Sequence, residues 1–248
     1  MNIDMLNNYL ALLLQPEQFN DYCPNGLQVE GKREINKIVT GVTASYALLE
    51  AALEANADAV LVHHGYFWRN EALAITGIKK RRIQFLLQHD INLFAYHLPL
   101  DMHAELGNNV MLAKQLGLKI IGWAGEKNML TLAELNPSQT LQEFAMLIEA
   151  KLKRTPQVIG DLAKPISSIA LCTGAAQSYI EQAAAANVDV YISGEISEQT
   201  VHVARESGMS YISAGHHATE RYGIQALGEH LAQKFNLQHV FIDIDNPV

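Results

Sequence analysis

The side chains best suited to chemistry in this sequence are histidines and acids: ten histidines stand against two cysteines, Cys23 and Cys172. Three groupings matter: His63-His64-Gly65 closing an apolar run, His97-Leu-Pro-Leu-Asp101, and Gly215-His216-His-Ala-Thr-Glu220. Adjacent histidines inside a strand point to opposite faces, so His63 and His64 converge only where the strand ends. Gly65 can supply the turn. His216 and Glu220 share one face if a helix opens after Gly215. Pro99 predicts an extended 97–101 segment, because the residue before proline avoids helical geometry. That favours Asp101 over His97 as a ligand. Imidazoles with carboxylates suit Zn²⁺, Fe²⁺ or Mn²⁺ better than Mg²⁺ or Ca²⁺. Five or six such donors exceed the roughly three that one catalytic zinc takes from protein. Two divalent ions per chain use them naturally, with Glu220 as candidate bridge because a carboxylate offers two oxygens.

Short β-branched runs alternate with segments of helical period, which predicts an α/β protein with largely parallel sheets flanked by helices. Strands are expected at 37–43, 57–62, 91–96, 168–173, 188–193, 209–214 and 239–244, with amphipathic helices at 45–55 and 224–235. Thr140 and Glu143 form a capping box that opens a third helix. The loop 21–28, with Pro24 and Asn25-Gly26, reads as a tight reversal. A soft boundary at 122–130 gives halves of 1–125, carrying His63, His64, His97 and Asp101, and 126–248, carrying His216 and Glu220.

The two halves resemble each other. Residues 38–43 (Ile-Val-Thr-Gly-Val-Thr) lead through a helix to 56–64 (Asn-Ala-Asp-Ala-Val-Leu-Val-His-His). Residues 170–174 (Ala-Leu-Cys-Thr-Gly) lead through a helix to 187–195 (Asn-Val-Asp-Val-Tyr-Ile-Ser-Gly-Glu). Matching Asp58 to Asp189 sets His64 against Glu195, and the next strand sets His97 against His216 and Asp101 against Glu220. Ligands of open α/β sheets sit beyond the carboxyl ends of strands, where these residues fall. His103, His202, His217 and His239 have no repeated context and read as structural.

A net charge of −8 and 18% charged residues give no general attraction to nucleic acid or anionic lipid. The cluster Lys79, Lys80, Arg81 and Arg82 reads as a solvated helix start. The N-terminal segment lacks a basic leader, no stretch is long enough to span a membrane, and two cysteines give no disulfide framework, so a cytoplasmic setting is expected.

His63-His-Gly-Tyr-Phe-Trp68, His97-x-x-x-Asp101, Gly215-His-His-Ala-Thr-Glu220 and Asn25-Gly-Leu-Gln-Val29 resemble the NGG-interacting-factor-three-like family, also known as GTP cyclohydrolase I type 2 homologues. The resemblance covers nearly the whole chain and is to the short bacterial form. It implies two similar, interlinked α/β domains, a toroidal homohexamer and a dinuclear metal centre, with His63, His64, Asp101, His216 and Glu220 as ligands and His97 beside them. The reading that follows is a metal-dependent hydrolase acting on a nucleotide-like small molecule, a cyclic amide or a phosphoester. Glu195 is the candidate general base, against a surface acid opening the next helix. Tyr66, Phe67 and Trp68 are weighed as a stacking surface and, more strongly, as core or interface packing. The alternative function is a non-catalytic metal-binding ring that serves as a scaffold. Encirclement of nucleic acid is disfavoured by the charge.

Overall fold

The computed structural model describes residues 1–248. Its strands are β1 (Gly26–Val29), β2 (Lys37–Thr43), β3 (Ala59–His64), β4 (Asn92–Ala95), β5 (Lys119–Ala124), β6 (Leu130–Thr140), β7 (Gln157–Ile159), β8 (Pro165–Leu171), β9 (Val190–Ser193), β10 (Ser210–Ser213) and β11 (Gln238–Phe241). Its helices are α1 (Ile3–Leu14), α2 (Tyr46–Glu54), α3 (Gly77–Gln88), α4 (Leu98–Asp101), α5 (Asn108–Gln115), α6 (Leu141–Leu152), α7 (Ile180–Ala185), α8 (Glu198–Ser207), α9 (His216–Thr219) and α10 (Arg221–Phe235). None is long and apolar enough to cross a membrane.

The chain forms two compact units, Met1–Gly107 with Gly223–Asp245, and Asn108–Tyr222 with Asn246–Val248. This path differs from the expected halves of 1–125 and 126–248, for reasons of pairing and packing. Strand β5 pairs antiparallel with β6, which draws it into the second unit. Helix α10 buries Ile224, Leu227 and Leu231 against Ile3, Leu6 and Leu10 of α1, and β11 lies parallel to β2, which returns both to the first unit.

In the first unit the sheet order is β1-β4-β3-β2-β11, all parallel except β1. Alternate residues of β2, β3 and β4 enter two separate cores. Val39, Val60, Val62 and Leu93 meet α2 and α3, while Ile38, Leu61 and Phe94 meet α1 and α10. Burial on both faces accounts for the near-continuous apolar runs of these strands. The second unit has the order β5-β6-β8-β9-β10-β7. The expected strands β8, β9 and β10 are parallel, and β5, β6 and β7, which were not expected from the sequence, add antiparallel pairs. Its two cores likewise lie on opposite sides, with α5 and α6 in one and α7 and α8 in the other.

The repeat is visible in bonds as well as letters. Asp58 Oδ2 accepts from the backbone N–H of Asn36 and Lys37 at 2.9 and 3.1 Å, and Asp189 Oδ2 accepts from Ser167 and Ser168 at 2.9 Å each. Burial opposes the charge of both carboxyls; at Asp58 the Lys32 ammonium 2.9 Å away together with the backbone bonds outweighs it, at Asp189 the bonds from Ser168 and Ser167 do, and both are held below the usual range. The matched aspartates thus tie the residue before β3 to residues 36–37 at the start of β2, and the residue before β9 to residues 167–168 of β8. The Thr140–Glu143 capping box forms as expected.

Candidate functional site

In the first unit, the expected residues lie at the carboxyl ends of β3 and β4. His63 and His64 close β3 with ring centroids 4.5 Å apart, and His97 follows β4 with its centroid 5.1 Å from that of His63. His63 is fully buried. Gly65 allows the chain after β3 to pack closely on β1 and β4, since a Cβ there would lie 2.3 Å from Gln28 Oε1 and 2.5 Å from the Ala95 Cβ. The turn-forming role expected of it is not what the geometry requires. The 97–101 segment is likewise not extended. His97 caps α4, and Pro99 sits in the first turn, where its missing N–H has no intrahelical acceptor to lose. Asp101, at the end of that turn, brings Oδ1 to 3.4 Å from His63 Nε2.

Hydrogen bonds decide which ring nitrogen of each histidine can bind a cation. His63 Nδ1 lies 2.9 Å from the Tyr96 carbonyl oxygen, and His97 Nδ1 lies 2.7 Å from Asp21 Oδ1. Both partners accept only, so each Nδ1 carries the proton and donates. A neutral ring then presents its lone pair at Nε2. His64 Nδ1 is 3.2 Å from the Thr43 hydroxyl, which can play either part. Donor atoms of His63, His64 and His97 all lie within 4.8 Å of one another, a grouping able to hold a metal ion. Asp21, Cys23 and His97 satisfy the same spacing. In that second group burial, reinforced by the Asp21 charge, pushes the Cys23 thiol up to about 12, so it is protonated when no metal is bound.

In the second unit, α9 opens after Gly215 as expected and sets His216 and Glu220 on one face, with Nε2 and Oε2 3.1 Å apart. His216 Nδ1 lies 2.7 Å from Glu195 Oε1, so it also donates to a carboxylate. Burial alone would push His216 down, but Glu220 and Glu195 outweigh it and raise it to about 9. Glu195 Oε2 lies 3.4 Å from the Gln177 amide. Beside the pair, Gly174 has φ +68°, and a Cβ on it would fall 2.1 Å from Glu220 Oε1.

Three of the four histidines read as structural have contacts of that kind. His239 bonds Thr40 at 2.8 Å, His103 Nδ1 accepts from the backbone of Glu105 and Leu106, and His202 is exposed near Glu198. Of the three aromatics after the histidine pair, Tyr66 is core, donating to the Ala44 carbonyl at 2.8 Å. Trp68 instead packs against His64 and His97 at 5.9 and 5.1 Å. In the basic cluster, Lys79 pairs with Glu71 at 3.2 Å and Arg81 lies over Tyr46 at 3.8 Å. Asp21, whose buried carboxylate meets His97, was not expected from the sequence. The only signal available was an acid opening a Pro-Asn-Gly turn.

These features define a class: an α/β protein with a repeated strand-end motif that gathers histidines and carboxylates able to chelate metal. Residues 1–247 match the Duf34/NIF3 (NGG1p interacting factor 3) family, and the chain belongs to it. It is 54% identical to a GTP cyclohydrolase 1 type 2 homolog of Pseudomonas aeruginosa over 94% of each chain. To the homolog of Vibrio cholerae it is also 54% identical, over 100% of each. Among solved structures, protein ybgI, of unknown function, superimposes with a TM-score of 0.97 at 48% identity, covering 100% of both chains. A protein of Thermus thermophilus, TTHA1606, follows with a TM-score of 0.91 at 35% identity, again covering 100% of both.

Proposed function

We propose that His63, His64, His97, Asp101, His216 and Glu220 are ligands of two divalent ions per chain, Zn, Fe or Mn, and that the protein is a metal-dependent hydrolase. One observation carries the reading. His63 and His216 each use Nδ1 to donate to an oxygen acceptor, yet turn Nε2 toward a carboxylate oxygen, at 3.4 Å from Asp101 and 3.1 Å from Glu220. A lone pair facing an anion is repulsive unless a cation lies with them. A proton can serve, which is why His216 is raised to about 9. A transition metal ion serves better, because it takes several such donors at once and because histidine ligands are typically held through the other ring nitrogen by a carboxylate or carbonyl.

Bound there, the ions would supply Lewis-acid activation of a water and a clamp on the attacked and leaving oxygens. The chain's own part is to hold the donors rigid. Tyr96 orients His63, Thr43 contacts His64, and Glu195 orients His216 through Oε1. Glu195, the candidate general base, is in this reading a residue that acts through His216. Trp68 walls the His64 and His97 rings and would limit water there. The substrate class is a nucleotide-like molecule, cyclic amide or phosphoester, in line with relatives called GTP cyclohydrolase 1 type 2 homologs. The homohexamer belongs to the same proposal; exposed apolar side chains available for association include Ile75 and Leu87, which line one surface groove.

Metal-free protein and protein reconstituted with Zn²⁺, Mn²⁺ or Fe²⁺ should be screened against phosphoesters, cyclic amides and nucleotides. Turnover that requires the metal and falls at least about 100-fold in Asp101→Asn is the expected outcome. No turnover by fully loaded protein on any of these would leave a metal-binding scaffold in place of a hydrolase.

A further inference from the structure

We infer that Asp21 is the positioning residue that makes His97 a metal ligand, a role resting on the ligand assignment proposed above. Asp21 lies in the loop before β1, and its side chain is only 3% exposed. Its Oδ1 accepts from the Tyr22 N–H at 2.6 Å and from His97 Nδ1 at 2.7 Å. Its Oδ2 accepts from the Asn25 amide at 2.8 Å and the Leu98 N–H at 2.9 Å. The backbone groups and the amide can only donate, so this pocket is built for an acceptor at every point. His97 is thereby held with its proton on Nδ1, and Nε2 is left as the coordinating atom toward His63 and His64.

The repeat argues that this is a device and not an accident of packing. His97 and His216 are matched positions, and each gives Nδ1 to a carboxylate at 2.7 Å. The carboxylates come from unmatched places: Glu195 stands opposite His64, while Asp21 precedes the first matched strand. Two separate sequence solutions therefore meet one chemical requirement. The same loop also holds the backbone, because Asn25 Oδ1 accepts from the His97 N–H at 2.7 Å and Asp21 from that of Leu98. These bonds fix the start of α4, whose last residue is Asp101.

Asp21→Asn keeps the shape and introduces an amide donor into the all-acceptor position. Turned one way, the new amide faces the Asn25 and Leu98 donors. Turned the other, it faces Tyr22 and His97, and His97 relieves the conflict by moving its proton to Nε2, where it blocks coordination. The test uses full-length, metal-free protein with ¹⁵N-labelled histidine, read by long-range ¹H–¹⁵N correlation near pH 8, followed by Zn²⁺ titration against a competing chelator. Wild type should show His97 protonated at Nδ1. Asp21→Asn should shift the proton to Nε2 and lower Zn²⁺ affinity by ~10 to 100-fold, the usual range for an outer-shell partner. Asn25→Ala, which loosens the loop without adding a donor, should keep the wild-type tautomer. A wild-type His97 protonated at Nε2 overturns the inference, even if Asp21→Asn does not fold. So does an Asp21→Asn protein with unchanged tautomer or unchanged affinity. If the wild type binds no Zn²⁺, the ligand assignment fails, while the tautomer still decides whether Asp21 sets His97.

Discussion

Glu220→Gln is expected to weaken both ions together, by more than the ~10 to 100-fold that outer-shell changes cost. Glu220 is 3% exposed, and its Oε2 meets His216 Nε2. As a proposed ligand it would offer two carboxylate oxygens to the ions. The amide would remove a negative charge and replace one oxygen by a group that cannot coordinate, leaving the bound cations under-neutralised. Asp101→Asn should release mainly one ion, and His217→Ala, outside the proposed ligand set, should release neither. Chelator competition at matched free metal distinguishes these outcomes. Glu220→Gln with wild-type affinity for either ion, or His217→Ala without metal, would overturn the ligand set.

Gly174→Ala should have a comparable effect from a residue with no ligand atom. Its Cβ would fall 2.1 Å from Glu220 Oε1, 3.1 Å from the Glu220 carboxyl carbon and 3.4 Å from His216 Nε2. The carboxylate must move, and metal affinity should fall by at least about 100-fold, toward that of Glu220→Gln. The left-handed backbone, φ +68°, adds about 1–2 kcal/mol of strain for any residue with a Cβ. Gly208→Ala separates the two effects, because φ there is +71° and nothing lies within 4 Å of the added Cβ. It should lose similar stability and keep its metal. Denaturant midpoints and Zn²⁺ affinities measured on both variants check this. Equal metal loss in both would trace the effect to backbone strain instead of contact with Glu220.

The strand ends were legible in the sequence because the chain states them twice. Asp58 and Asp189 sit in equivalent registers and make the same backbone bonds, so aligning them places His97 against His216 and Asp101 against Glu220. The cap of α6 was legible because Thr140 and Glu143 are local partners. What escaped was non-local. Asp21 meets His97 from 76 positions away, through a loop whose letters show only a turn. The return of α10 and β11 to the first unit depends on Ile224, Leu227 and Leu231 choosing α1, which helical periodicity does not specify. Strand β6 was hidden by Pro137, which falls where the ladder with β8 is broken between Glu134 and Gln139, a break that tolerates a residue without an N–H. The helical turn of α4 was misread because the constraint of Pro99 on Leu98 yields when proline occupies a first turn.

Metal content tests the central claim most directly. Full-length protein purified without chelator, and the same protein titrated to saturation with Zn²⁺, Mn²⁺ or Fe²⁺, should be counted by elemental analysis against chain concentration. The proposed ligand set predicts close to two equivalents per chain. A single equivalent that no reconstitution can raise would contradict the dinuclear centre.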